Sequence, residues 1–251
     1  MTELWVVVPA HNEERLLPGL LEALAAQRDL GFELVVVDNA STDATAEVVA
    51  KFAAGCELFP VHLVTEPVKG TGAAGDSGMR FAIEHGAALL MRTDADCLPD
   101  PGWIAAGRAA LRGGLHLSTG PMLPRVDEFQ LRWWEGSLLP RVVAGAAAFG
   151  RFRPSNRSPE YIGPYLMCPG CNIAITAAMY EQSGGFPRTS IDKEHEDRAL
   201  VNRVRKHTKA IGYTSDQAVR ASLRRVRAYG LRRTLAWYLN HGGELDVVDV
   251  R

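Results

Sequence analysis

Cysteine is scarce in this chain. There are four, Cys56, Cys97, Cys168 and Cys171, too few for a disulfide scaffold. Neither sign of charge is in excess, with 28 Lys and Arg against 29 Asp and Glu. That balance excludes a uniformly basic nucleic-acid binder. Charged residues are 23% and hydrophobic residues 47% of the sequence, which excludes a disordered or collagen-like chain. Long apolar runs are missing too. A membrane span needs about 20 nearly uncharged apolar residues, and the best stretch, Val142 to Gly150, is short and bracketed by Arg141 and Arg151. Met1-Thr2-Glu3 is no basic leader, and Pro9, His11 and Asn12 interrupt the first apolar run. The expectation is a cytoplasmic protein without a signal peptide. With 251 residues, such a chain can bury roughly 70–75% of its unfolded surface and needs no staples.

What is present alternates. Leu4 to Val8 and Glu33 to Val37 are solidly apolar, as strands buried on both faces should be. Val61 to Thr65, Ala88 to Arg92 and Leu115 to Ser118 read as three more strands. Between them lie helical stretches: Glu13 to Gln27, with leucines at 16, 17, 20, 21 and 24; a segment to about Ala54, capped by Ser41 or Thr42; Ala73 to Glu84; and one opened by Pro101 and running to Leu111. Repeated strand–helix units predict an α/β fold with a mainly parallel central sheet flanked by helices. Beyond Gly120 the pattern loosens. Glu128 to Phe149 is an interrupted helix and Arg151 to Pro169 a long loop. Asn172 to Thr176 is a strand, Ala177 to Ser183 a helix stopped by Gly184-Gly185, and Glu194 to Lys206 a further helix. From Arg220 the chain is strongly basic. No internal repeat or linker divides it.

Ligands of an open parallel sheet bind beyond the carboxyl ends of its strands. Here those ends are polar: Pro9-Ala10-His11-Asn12-Glu13, Asp38-Asn39-Ala40-Ser41-Thr42-Asp43 and Asp94-Ala95-Asp96. Each alone also suits a cap or turn. Two carboxylates two residues apart at a strand end can share a side, and their repulsion calls for a counter-ion. Oxygen-only ligands with open positions suit Mg²⁺ or Mn²⁺, which fill their remaining positions with water and phosphate oxygens. A diphosphate substrate follows. The bland alternative is a capped turn before Pro99-Asp100-Pro101, which accounts for Asp100. Arg224-Arg225 could clamp a diphosphate or lie on a solvated basic helix face.

Val6 to Glu13, Val37 to Asp43 and Thr93 to Asp96 resemble the successive sugar-donor motifs of family 2 glycosyltransferases with the GT-A fold. Gly170-Cys171-Asn172-Ile173-Ala174-Ile175, Gly184-Gly185-Phe186 and His195-Glu196-Asp197 are similar to that family's acceptor-side motifs. The resemblance spans nearly the whole chain. It implies one glycosyltransferase domain over 1–251, with a nucleotide-sugar half (1–120) and an acceptor half (121–251). Pro9, Ala10 and Glu13 would border the nucleotide, and Asp38 would accept a hydrogen bond from its base. Lys69-Gly70 resembles the donor loop, although Asp76 replaces a more usual Asn. Asp94 would lie by the ribose and join Asp96 at the metal. Glu196, Arg224 and Arg225 would flank the diphosphate and acceptor. Asp197 would be the catalytic base of an inverting transfer from a UDP- or GDP-sugar. Its place near a helix start favours the ionised carboxylate by roughly 0.3–1 kcal/mol, so it is expected to be charged at neutral pH. Glu194, Glu196 and Asp197 are equally ordinary first-turn acids. No late histidine is well placed as a further metal ligand, since Arg220 stands where one is sought.

Three rival readings stand beside this one. Gly70-Thr71-Gly72-Ala73-Ala74-Gly75 matches the G-x-G-x-x-G of a dinucleotide-dependent oxidoreductase. Cys168-Pro169-Gly170-Cys171 has the spacing of a redox motif. A non-catalytic nucleotide-binding module is the third. The acceptor stays open among sugar, lipid-linked and small-molecule classes. Trp133, Trp134, Tyr161 and Tyr165 suit sugar stacking, peripheral membrane contact or a homodimer face.

Overall fold

The structure, a computed structural model, describes residues 2–130, 132, 134, 135, 141, 145, 156–188, 196–224, 226–228 and 230. Its first four strands, β1 (Leu4–Ala10), β2 (Phe32–Asp38), β3 (Val61–Thr65) and β4 (Leu89–Arg92), lie side by side in parallel, in the order β3-β2-β1-β4. Two more, β5 (Cys97–Pro99) and β6 (Leu117–Thr119), precede β7 (Met122–Pro124), β8 (Ile173–Thr176), β9 (Ile211–Tyr213) and β10 (Val219–Ala221). The main sheet has seven strands, β3-β2-β1-β4-β8-β6-β9. Only β8 runs against its neighbours β4 and β6. A second sheet, β5-β10-β7, sits at its edge.

The helices are α1 (Leu17–Ala25), α2 (Thr45–Gly55), α3 (Thr71–Glu84), α4 (Trp103–Arg112), α5 (Ala177–Ser183) and α6 (Glu196–Arg205). They cover both faces of the sheet, which explains why all seven residues of β1 are buried. Side chains of β1 divide between two cores. Val6 and Val8 pack with Leu20, Leu24, Trp103 and Ile104 of α1 and α4, whereas Trp5 and Val7 pack with Met79, Tyr180 and Leu200 of α3, α5 and α6. Each fully buried side chain of this size contributes roughly 1.5–3 kcal/mol. Close approach of α3 to the sheet needs Gly78, where a Cβ would stand 2.4 Å from Val7 Cγ1.

Two expected caps are placed otherwise. The cap of α2 is neither Ser41 nor Thr42. The helix starts at Thr45, and Asp43 Oδ1 accepts from the Thr45 backbone N–H at 3.0 Å. Asp100 does not cap α4 either. Gln27 Oε1 accepts from Ile104 N at 3.2 Å, while Asp100 pairs with Arg220 at 2.9 Å. Gly184 ends α5 in the left-handed conformation (φ 81°), the stop its sequence implies. The expected helix over Glu128 to Phe149 and the first part of the loop from Arg151 lie mostly outside the described residues. Among those residues, no helix is long and apolar enough to cross a membrane.

Candidate active site

The ends of β1 and β2 are laced together by reciprocal hydrogen bonds. Asn12 N donates to Ser41 Oγ at 3.0 Å, and Thr42 N to Asn12 Oδ1 at 2.8 Å. Glu13 N donates to Thr45 Oγ1 at 2.8 Å, Glu14 N to Asp43, and Ala44 N to Glu14. His11 Nδ1 donates to the Asn39 carbonyl at 2.8 Å; its Nε2 is buried without a hydrogen bond among the described residues. Asn12 (φ 54°) and Ala40 (φ 56°) take the left-handed turns this requires. Pro9 and Ala10 are thereby fixed opposite Val37 and Asp38. The Asp38 carboxylate is half-buried and, among the described residues, accepts only a long bond from Ser41 N, 3.3 Å.

Asn39 ties this edge to the next loop. Its amide donates to the carbonyls of Glu66 and Val68 and accepts from Gly70 N, each at 2.8 Å. Gly70 sits at φ 150°, a conformation left to glycine. Lys69 is exposed beside it. Glu66, Asp76 and Ser77 meet one guanidinium, Arg188, with Arg188 Nη2 to Glu66 Oε2 at 2.6 Å. Asp76 is fully buried and also accepts from Tyr180 Oη at 2.9 Å and Arg80 Nε at 2.8 Å. It is a packing node of α3 and α5.

Asp94 and Asp96 follow β4 in a turn closed by Cys97 N to Asp94 O at 3.0 Å. They pair with different cations rather than sharing one. Asp94 lies 3.3 Å from Arg92 Nη2, and Asp96 Oδ2 lies 3.0 Å from Arg224 Nη2. Arg92 is wholly buried at the end of β4, stacked 4.7 Å over the Phe186 ring and 3.5 Å from Glu196. Burial opposes its charge, but the carboxylates of Asp94, Glu196 and Asp197 more than offset that and raise its pKa. Arg224 also forks onto Glu13, which is buried just before α1. Arg125 donates to the Asp96 carbonyl at 3.1 Å. Within the basic stretch, Arg220, Arg224 and Arg227 are therefore paired rather than merely solvated. They hold Asp100, Glu13 with Asp96, and Glu135 respectively.

Asp197 sits in the first turn of α6, half-buried, with its carboxylate accepting from Arg198 N at 2.6 Å and from the Gly170 amide. Burial, and then the neighbouring Glu196 charge, lift its pKa from the ordinary 3.8 to about 6, against the pull of those amides and of Arg92. The sequence expectation of a charged group at neutral pH survives. Its helix-terminus reasoning does not, because desolvation outweighs the macrodipole. Arg92 thus gathers Asp94, Glu196 and Asp197 around one guanidinium. That grouping was invisible in the sequence, although an arginine ending an apolar strand is its one local sign. Asn39, Arg125 and Arg188 were likewise missed. Arg225, His195 and Trp133 lie outside the described residues. Tyr161 lies 4.3 Å from the guanidinium of Arg205, with Tyr165 5.7 Å away.

Two of the rivals, the dinucleotide-dependent oxidoreductase and the redox motif, fit this geometry poorly. A Cβ on Gly72 would meet the Pro187 carbonyl at 2.3 Å, and one on Gly75 would meet Arg92 and Phe186. These glycines serve packing of α3 against protein. Cys168 and Cys171 are buried free thiols, and burial pushes the Cys168 pKa far up, the reverse of redox activation. Asn172 beside them is a wholly buried node, accepting from Trp103 Nε1 at 2.9 Å and donating to the Gln217 carbonyl at 2.7 Å.

A divalent ion fits the carboxylates present. The Asp96 carboxylate already faces a cation, and its donors are oxygens. Among the described residues no three His, Cys, Asp or Glu side chains are grouped so that they could hold a metal ion, which leaves Asp94 and Asp96 as the protein ligands the site would offer. Such an open site suits Mg²⁺ or Mn²⁺, which draw most ligands from water and phosphate.

Comparison with known proteins agrees with this fold. One similar chain is an uncharacterized glycosyltransferase of Mycobacterium tuberculosis, 38% identical over 119 residues, covering 47% of this chain and 48% of that one. The undecaprenyl-phosphate mannosyltransferase of Micrococcus luteus is 30% identical over 149 residues, covering 55% and 59%. The matches to the first such relatives thus span about half of their length. Among solved structures, a mannosyltransferase from Pyrobaculum calidifontis in complex with GDP-Man and Mn²⁺ superposes with a TM-score of 0.63 at 21% identity, covering 97% of this chain and 66% of that one. Glucosyl-3-phosphoglycerate synthase from M. tuberculosis, with Mn²⁺, UDP and phosphoglyceric acid, gives 0.60 at 18%, covering 97% and 80%. These likenesses place the fold among GT-A glycosyltransferases. The family model for glycosyl transferase family 2 matches residues 5–177, from the first strand through β8, and the chain belongs to that family.

Proposed function

We propose that the chain moves a sugar from a UDP- or GDP-linked donor to an acceptor hydroxyl, with inversion and with help from Mg²⁺ or Mn²⁺. One observation carries the reading: Asp38 ends β2, and Asp94 and Asp96 follow β4, the two parallel neighbours of β1, so all three stand at the carboxyl edge of the sheet, and Arg92 links Asp94 to Asp197. The ligands bound in the solved neighbours, GDP-Man with Mn²⁺ and UDP with Mn²⁺, support the donor class.

In this reading Pro9, Ala10 and Glu13 border the nucleotide. Asp38, with one long hydrogen bond, has acceptor capacity left for the N–H of the base. Lys69 and Gly70 form the loop over the donor, and Asp94 reaches the ribose. Asp96, together with Asp94, would hold the metal. When bound, the ion offsets charge building on the leaving diphosphate. Arg224 and Arg225 lie on the diphosphate side, and Glu196 on the acceptor side. Asp197 takes the proton of the acceptor hydroxyl as that oxygen bonds to the anomeric carbon. The bond to the diphosphate breaks on the opposite face, and its electron pair leaves with the phosphate oxygen. With Asp197 as the one base and no residue assigned as nucleophile, the transfer is a single displacement. A carboxylate with a pKa of about 6 is a better proton acceptor than an ordinary aspartate and is still mostly ionised at neutral pH.

The acceptor is a sugar, lipid-linked or small-molecule hydroxyl. The name of the M. luteus relative favours a lipid-linked one. A thermal-shift panel of UDP, GDP and NAD(P), each with and without Mn²⁺, tests the donor class. UDP or GDP with Mn²⁺ should raise the melting temperature, and Asp96→Ala should abolish the metal-dependent part. A rise with NAD(P) alone would contradict the reading.

A further inference from the structure

The small sheet has a specific effect on Asp96. Strand β5 begins at Cys97, immediately after it, and pairs with β10 in the register Ala221 opposite Cys97. On the other side β10 pairs with β7, Ala221 opposite Pro124. The chain leaving β10 therefore delivers Arg224, and the chain leaving β7 delivers Arg125, to the same aspartate. Arg125 grips the Asp96 backbone carbonyl. Arg224 grips the carboxylate, and its fork on Glu13 fixes it there, with Nη1 3.0 Å from Glu13 Oε2. Only 16% of the Arg224 side chain and 7% of that of Glu13 are exposed. One guanidinium thus neutralises two poorly solvated carboxylates.

We propose that Arg224 is an exchangeable counter-ion: it fills the cation position at Asp96 until a nucleoside diphosphate offers it another anion and a divalent ion replaces it. The proposal rests on the reading of Asp96 as the metal carboxylate. Two cations within about 3–4 Å of one carboxylate repel each other strongly in a poorly solvated site. Arg224 must therefore loosen its hold on Asp96 before the metal is bound tightly. A diphosphate beside it accepts the same forked geometry that Glu13 accepts. Metal and nucleotide then favour each other, and the coupling is reciprocal. Arg224 acts here as a positioning residue, setting the order of assembly.

Electron paramagnetic resonance of free Mn²⁺ measures the effect without any turnover. Mn²⁺ is titrated into wild type, Arg224→Gln, Arg224→Lys and Asp96→Ala, alone and with UDP or GDP. Wild type should bind Mn²⁺ weakly alone and about tenfold or more tighter with the matching nucleotide. Arg224→Gln should bind Mn²⁺ alone about tenfold or more tighter than wild type and lose most of the nucleotide coupling, since close charge pairs carry couplings of that order. Arg224→Lys, which keeps the charge and loses the fork, should fall between and carries the test should the Gln variant not fold. Mn²⁺ binding that needs Asp96 and is strengthened by nucleotide, yet is unchanged by both Arg224 variants, overturns the exchange alone. Mn²⁺ binding indifferent to Asp96→Ala overturns the metal reading and the exchange together.

Discussion

At the residue scale, the site is a set of acids held by arginines, and the balance differs at each acid. Asp197 is the one whose environment works against its charge. A folded-state pKa of about 6 above an ordinary 3.8 means the protonated form is favoured by the fold. Its contribution to stability is full below about pH 4 and is lost as pH rises through about 6. Asp197→Asn escapes that loss. The variant should melt higher than wild type at pH 7.5 and no higher at pH 4, measured by calorimetry. Its transfer rate should fall by at least about a hundredfold, the usual worth of a general base. The wild-type rate should climb with pH through about 6 and level off. Melting of the Asn variant below wild type at pH 7.5 would refute the buried-charge account. Asp38 is half-buried and, among the described residues, accepts one long hydrogen bond. Losing a hydrogen bond from the base to this carboxylate costs about 1.5–3 kcal/mol. Asp38→Ala should therefore weaken binding of the matching nucleotide roughly 10- to 150-fold by calorimetry, and unchanged affinity would reduce Asp38 to a turn former.

At the element scale, much was legible and the reason is local. β3 and α5 lie where composition placed them, and β1, β2, β4, β8 and α3 within about two residues, because buried strands and amphipathic helices write their period into the chain. Asp38, Asp94 and Asp96 are legible for a similar reason, standing at the carboxyl ends of recognisable strands. The strands β5 and β7 were not read. Each is three residues long and ends in proline, too short for any period. Their pairing with β10 joins residues more than 90 apart, and no local pattern announces it. Arg92 is not foreseen on the same grounds, nor is the partner of Arg224, which the sequence places on the diphosphate side, since Arg92 reaches Glu196 across 104 positions and Arg224 reaches Glu13 across 211. Gly72 was legible and misleading. It fits a dinucleotide fingerprint, but in the structure it lets α3 approach the Pro187 carbonyl. Gly72→Ala should cost about 1–3 kcal/mol of unfolding free energy in urea. Gly102→Ala, with open space around its Cβ, should stay within about 0.5 kcal/mol. Equal stability of the two variants would remove the packing account of the glycine run.

At the scale of the whole molecule, the near-neutral charge conceals a division of labour. The first strands carry acids to one edge of the sheet, and the later chain returns to that edge with β8 in the middle of the sheet and a series of arginines beside it. The two parts are interleaved, since β8 pairs with β4 on one side and β6 on the other. The central claim is that this edge splits a nucleoside-diphosphate sugar with help from a metal at Asp96 and a base at Asp197. Release of nucleoside diphosphate from a panel of UDP- and GDP-sugars, followed for wild type, Asp96→Ala and Asp197→Asn with Mn²⁺ or with EDTA, tests it most directly. The account predicts release by wild type with Mn²⁺, almost none in EDTA or from Asp96→Ala, and a loss of at least about a hundredfold in Asp197→Asn, which still binds nucleotide. Undiminished release in EDTA together with undiminished release by Asp197→Asn would contradict it.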